Sequence, residues 1–296
     1  CVEIVDFMPV GGKAAGMNSD IVRIVRGTRG RMPMSMQLVL RFDYGSVVPW
    51  VSRLRDGRLC AIAGPDMVTL RTGVDFHGEH LTSVSDFVVS EGDEECFVLT
   101  WSPSHLEPRT PVDPLPALAS TERFWEEWAA RCTCGGEWRK SVMRSLLTLK
   151  ALTYGPTGGI VAAPTTSLPE EIGGTRNWDY RFCWLRDATL TLLALMDGGY
   201  VDEAAAWRDW LLRAAAGSPQ QLQIMYGIAG ERMLPEWEIG WLPGYEESRP
   251  VRIGNAAHAQ TQLDVYGEVM DAMYQARLVG LPPNDEAWAL QVALTS

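Results

Sequence analysis

The chain has 296 residues, a formal charge of −11, 46% hydrophobic residues and 21% charged ones. That is enough for two domains with a sizeable core. The acidic balance argues against a nucleic-acid or anionic-membrane partner, because both need a positive footprint, and no apolar run is long enough to span a bilayer. The six cysteines, Cys1, Cys60, Cys96, Cys132, Cys134 and Cys183, are scattered. A chain of this size folds without disulfides, so reduced thiols and a cytoplasmic setting are expected. His77, His80, His105 and His258 show no metal-ligand pattern. Neither a phosphate loop nor a G-x-S-x-G elbow occurs, so no metal and no cofactor are expected. Cys1 stands in a strand-rich region and Ser296 in a helical one, which reads as an incomplete sequence.

From Asp20 to about Trp101 the pattern is β. Met36, Leu38, Leu40 and Phe42 alternate with Gln37, Val39 and Arg41, a period of two. Asp56-Gly57 predicts a hairpin turn between Val51–Leu54 and Arg58–Ala63. Further strands are expected at Met67–Arg71, Leu81–Val89 and Cys96–Trp101, with Gly64-Pro65 and Glu91-Gly92-Asp93 between them. Short strands at this spacing predict an antiparallel β-sandwich over residues 1–104. Residues 105–120 belong to a proline-rich, aperiodic stretch and read as a linker. Residues 121–296 read as helical: Thr121–Arg131, Glu137–Leu152, an apolar helix after Asp179, Val201–Ala216, Ala256–Val279 and a last helix from Asn284. Asp202, Glu203, Arg208, Asp209 and Arg213 mark a wet face on Val201–Ala216. A long loop, 217–255, carries Trp237, Trp241 and Tyr245.

The densest chemistry lies in Arg176–Met196, RNWDYRFCWLRDATLTLLALM. Asp179 is expected as the N-cap of the helix. Trp184, Asp187 and Thr191 then share one face. Leu190, Leu192, Leu193, Leu195 and Met196 cover the remaining circumference, the pattern of a buried helix. Arg186 and Asp187 near its start need polar company there. An apolar helix followed by an amphipathic one suggests inner and outer layers, the repeating unit of an α/α barrel, although an α-solenoid has the same periodicity. Trp178, Tyr180, Trp184, Trp237, Trp241 and Tyr245 gather in two loops. Aromatic faces suit the C–H surface of a pyranose, and a guanidinium beside a carboxylate suits its hydroxyls. A neutral, hydroxyl-rich ligand fits this equipment better than phosphate. The alternative is core tryptophans around a structural ion pair.

RNWDYRFCWLRDA, at 176–188, resembles the signature of the family fifteen glycoside hydrolases, the glucoamylase and trehalase-like enzymes. SRPVRIGNAAHAQTQLDVYGEV, at 248–269, and RIVRGTRGRMPM with RFDYG in the β region resemble the bacterial branch of that family. The resemblance implies a β-sandwich followed by the first part of an (α/α)6 barrel. It also implies exo-acting, inverting hydrolysis of α-glucosidic bonds in an oligosaccharide or disaccharide with a terminal α-glucose. Arg186 and Asp187 match the pair that binds that glucose, and Tyr180 and Trp184 match the aromatic lining. Trp241 and Arg252 fall where further subsite residues are placed. The family's general acid and base match nothing here, so no catalytic residue is expected in this chain, and Glu246–Glu247 and Glu170–Glu171 read as solvated loop pairs. Two other functions fit the same residues: a non-catalytic carbohydrate-binding or scaffold protein, and an α/α-barrel disaccharide phosphorylase.

Overall fold

The structure, a computed structural model, describes residues 1–10, 19–216 and 221–295. It separates into two compact units, residues 1–127 and 128–296.

In the first unit, β1 (Val2–Phe7), β2 (Ser19–Gly27), β4 (Trp50–Arg53), β5 (Leu59–Ala63), β6 (Asp66–Thr72) and β9 (Glu94–Pro103) form one antiparallel sheet in the order β1-β2-β9-β6-β5-β4. A second sheet joins β3 (Arg31–Leu38), β8 (Thr82–Ser90) and β7 (His77–Glu79) in the order β3-β8-β7. The alternation in the sequence explains the layering. Met36 and Leu38, on one face of β3, pack with Leu59, Leu70, Phe97 and Leu99 of the larger sheet, as a period of two requires. The opposite face of the larger sheet buries Val22, Ile24 and Val98 with Leu118. Asp56-Gly57 turns the β4–β5 hairpin, with Gly57 at φ +86°. Leu40 and Phe42, expected in the strand, follow β3 instead. Phe42 opens a turn at Asp43–Gly45, where Asp43 and Tyr44 take positive φ.

Helix α1 (Pro114–Ala130) begins inside the stretch read as a linker. Proline is tolerated in the first turn because the N–H it lacks has no helical partner there. The other helices are α2 (Arg139–Ala151), α3 (Leu185–Asp197), α4 (Val201–Ala214), α5 (Asp264–Leu278) and α6 (Asp285–Leu294). The predicted helix 256–279 is divided: Ala256–Ala259 is a 3-10 turn capped by Asn255, and the α-helix starts only at Asp264. The loop 217–255 contains paired segments in its described part. β10 (Cys183–Trp184) pairs with β11 (Met225–Tyr226), and β12 (Trp237–Glu238) pairs with β13 (Arg252–Ile253).

Helix α3 packs on α2, α4 and α5. Leu185, Leu192 and Leu195 are each at most 1% exposed, and burying such a side chain fully contributes about 1.5–3 kcal/mol. The burial is one-sided. Leu190 is 61% exposed, so α3 is not apolar-covered all round as expected. On α4 the predicted wet face is also broken, because Glu203 is 4% exposed. No helix among the described residues is long and apolar enough to cross a membrane.

Candidate saccharide site at the head of helix α3

The sequence run before α3 is polar, and its polar groups are consumed locally. Asp179 is not the helix cap: Trp184 occupies the N-cap in an extended conformation, and the Leu185 N–H donates to Ile224 O at 3.0 Å. Asp179 instead lies buried and ties two loops together. Its Oδ1 accepts from Arg181 N (3.1 Å) and Nε (2.9 Å), and its Oδ2 from Arg181 Nη2 (2.8 Å) and Gly254 N (3.1 Å). Asn255 Nδ2 donates to its carbonyl at 3.0 Å. Gly254 is required there, because at φ +74° a Cβ would sit 1.8 Å from Pro235 O. Buried Asn177 donates to Gly174 O (3.1 Å) and Pro250 O (3.3 Å). These bonds, from Gly254 and Asn255 to Asp179 and from Asn177 to Pro250, join loops distant in sequence and fix the platform before α3 begins.

On that platform Arg186 and Asp187 behave differently. Their side chains are 42% and 43% exposed, with Arg186 Nη2 3.6 Å from Asp187 Oδ2. Arg186 Nη1 also lies 3.5 Å from Asp264 Oδ2, at the first residue of α5. The guanidinium carbon stands 5.8 Å from the centre of the Trp184 ring. None of these approaches is a hydrogen bond. Asp187 Oδ2 and Trp184 Nε1 are buried with no hydrogen-bond partner. Asp187 lies in the first turn of α3, where a carboxylate complements the helix dipole. Tyr180 belongs to the same neighbourhood: burial first, then the carboxylates of Glu170 and Asp187, push its hydroxyl pKa up against the opposing effect of Arg176.

Arg252 occupies a different position. Its side chain is 13% exposed and lies 4.7 Å over the Trp178 ring. Nη1 donates to Thr175 O at 2.8 Å, and the guanidinium faces Glu236 and Glu238, each at 3.4 Å. Ser167 Oγ grips its main chain, accepting from Arg252 N at 2.7 Å and donating to Arg252 O at 2.8 Å. Arg252 therefore staples the 166–178 loop to the β12–β13 loop. Trp241, 57% exposed, stands on the loop after β12. The six expected residues thus divide into Tyr180, Trp184, Arg186 and Asp187 near one helix head, Arg252 as a staple, and Trp241 on an exposed loop. Glu246 and Glu247 are exposed, at φ +48° and +59°. Glu170 is paired with Arg176 at 3.0 Å.

Sequence reading missed Asp264. A helix drawn from Ala256 hides that carboxylate in mid-helix, whereas a start at Asp264 sets it opposite Arg186. The signal was an acidic residue in QTQLDVYGEV, since acidic residues favour a helix's first turn. Cys183, within the signature, is no nucleophile: burial pushes its thiol up to about 12.

An antiparallel β unit followed by a helical unit, with an aromatic-flanked guanidinium–carboxylate pair at a helix head, defines the class of this chain. The profile of glycosyl hydrolases family 15 matches residues 136–295, more than half of the sequence, and the chain belongs to that family. It is 38% identical over 265 residues to a trehalase of Mycolicibacterium smegmatis, an alignment covering 86% of this chain and 40% of the relative. A trehalase of Mycobacterium tuberculosis is 36% identical, with 86% and 39% covered. Trehalase 1 of Sulfolobus acidocaldarius is 34% identical over 276 residues, with 92% and 46% covered. The chain spans less than half the length of these curated relatives.

Proposed function

We propose that this chain carries the terminal-glucose subsite of an exo-acting, inverting α-glucosidase of the glucoamylase or trehalase type, with trehalose the favoured substrate. The architecture proposed for it is a β-sandwich followed by the opening part of an (α/α)6 barrel. One observation supports this most. At the head of α3 the Arg186 guanidinium, Asp187 Oδ2 and Trp184 Nε1 lack hydrogen-bond partners among the described residues, although Oδ2 and Nε1 are buried. Leaving such groups unmet is costly, and a sugar's hydroxyls, each both donor and acceptor, would meet them. Tyr180 and Trp184 would present aromatic surface to the ring, and Trp241 would extend that surface from its loop. Arg252 would serve the subsite by holding the two loops in register. Trehalase relatives favour a disaccharide over a long polymer.

In this reading none of the described carboxyl groups acts as general acid or base. Inversion needs two, about 6.5–9.5 Å apart with a water between. The six free thiols support a reducing, cytoplasmic setting. Calorimetric titration with trehalose and with maltose tests the assignment. Arg186→Ala removes charge-assisted donors, and affinity should fall about 10- to 100-fold. Equal affinity in the variant and the parent would reject the subsite.

A further inference from the structure

Cys132 and Cys134 stand one residue apart in the segment that leaves α1. Both are free and half-buried, and both pack against the cluster of Trp128, Leu146, Leu195 and Tyr200. Their side chains thus lie on one side of the chain, the arrangement that extended backbone gives to residues two apart. Two residues of extended chain span at most about 7 Å, and disulfides join Cα atoms about 4.4–6.8 Å apart. Little backbone movement therefore separates these thiols from a bond. The Cys132 thiol already acts on its neighbours. Burial first, then Cys132, pushes the Cys134 thiol up, and the same two causes push the Tyr200 hydroxyl up to about 12. The remaining cysteines are placed differently: Cys60 and Cys183 are sealed in cores, and Cys1 and Cys96 belong to the β unit.

The segment docks on the turn between α3 and α4. Thr133 N donates to Gly198 O at 3.0 Å, Cys134 Sγ donates to Asp197 O at 3.9 Å, and the Tyr200 hydroxyl donates to Trp128 O at 3.1 Å. Gly199 belongs to the same contact: at φ +90° a Cβ there would lie 2.8 Å from Thr133 Cγ2. A bond between the two sulfurs would draw Cys134 away from Asp197 and Cys132 away from Tyr200. A ring with a single residue between its cysteines is strained, and strained disulfides are the readily reduced ones.

We infer that Cys132 and Cys134 form a dithiol modification site, oxidised reversibly to a Cys132–Cys134 disulfide by a small disulfide of the glutathione class, and that this bond loosens the α3–α4 turn. Cys134 is held protonated by its surroundings, so the Cys132 thiolate attacks first. It bonds to one sulfur of oxidised glutathione and expels one glutathione thiolate. Cys134 then loses its proton and attacks the Cys132 sulfur of the mixed disulfide, expelling the second. The pair gives up two electrons and two protons, and the two glutathiones carry both away.

The test treats the chain with oxidised glutathione, alkylates the remaining thiols and digests with trypsin, which releases both cysteines in one peptide, Cys132–Arg139. That peptide should appear unalkylated and lighter by two hydrogens, and dithiothreitol should restore two alkylatable thiols. Cys134→Ser should stop at a glutathione adduct on Cys132. The melting temperature of the oxidised parent should fall, a loss that Cys132→Ser/Cys134→Ser given the same treatment should not show. A parent peptide that stays fully alkylatable, or that stops at a glutathione adduct, overturns the site. A melt unmoved by the bond overturns the loosening.

Discussion

Two carboxylate–cation clusters in the helical unit use the same residue types in opposite ways. At Glu203 the carboxylate is closed off: its side chain is 3% exposed, Lys150 Nζ lies 3.0 Å away, and Trp128 Nε1 donates at 2.8 Å. Trp128 in turn stacks on Tyr200 at 3.9 Å and accepts its hydroxyl through the main chain at 3.1 Å. At Arg186–Asp187 the side chains are near half exposed, the charges stand 3.6 Å apart, and no side-chain hydrogen bond closes the pair. The first cluster is buried against close partners, with Glu203 Oε2 alone left without a hydrogen bond, and it holds Trp128, α2 and α4 together. The second stands half open, with Asp187 Oδ2 and Trp184 Nε1 lacking hydrogen-bond partners. Spacing in the sequence does not separate them; burial and the distance to the nearest partner do.

The comparison breaks most sharply at Glu203. Glu203→Ala strips the buried partner from Lys150 and Trp128 and should cost the fold about 3–5 kcal/mol, read from urea denaturation. A loss under about 1 kcal/mol would show that the cluster is ornamental. Arg186→Ala, aimed at the open cluster, should leave stability within about 0.5 kcal/mol in the same assay while sugar binding falls.

Acid should affect the two clusters unequally. Burial alone would raise the Glu203 pKa, but the hydrogen bonds from Trp128 and Lys150 and the Lys150 charge hold it below the ordinary 4.5. A carboxylate depressed on folding contributes stability that is fully present above its unfolded value and lost as pH falls through the folded one. Melting temperature should therefore decline below about pH 4.5, and the part due to Glu203 should vanish in Glu203→Gln. A Glu203→Gln protein with an unchanged acid slope would contradict the sign of that shift.

The sequence made the β layers and the order of the helices legible, because alternation in β3 and β9 and apolar spacing in α3 and α4 follow directly from which face is buried. It also exposed the signature around Arg186. It misplaced two residues for one physical reason: tertiary partners decide what a charge does. Asp179 has the residue type of a helix cap, yet Gly254 and Arg181 claim its carboxylate, so α3 begins at Leu185. Glu203 falls on a polar stripe of α4, yet Trp128, 75 residues earlier, reaches it. Asp264 stayed hidden until the helix boundary moved, since a start at Ala256 gives it no reason to face Arg186.

The central claim is that a sugar satisfies the polar groups left open at the head of α3. The Trp184 indole N–H, buried and without a partner, reports on this directly through its ¹⁵N–¹H resonance, assigned with Trp184→Phe. Adding trehalose should shift that signal in the parent chain and leave it in place in Asp187→Ala. A Trp184 signal that stays fixed under saturating trehalose, or moves equally in both proteins, would contradict the account.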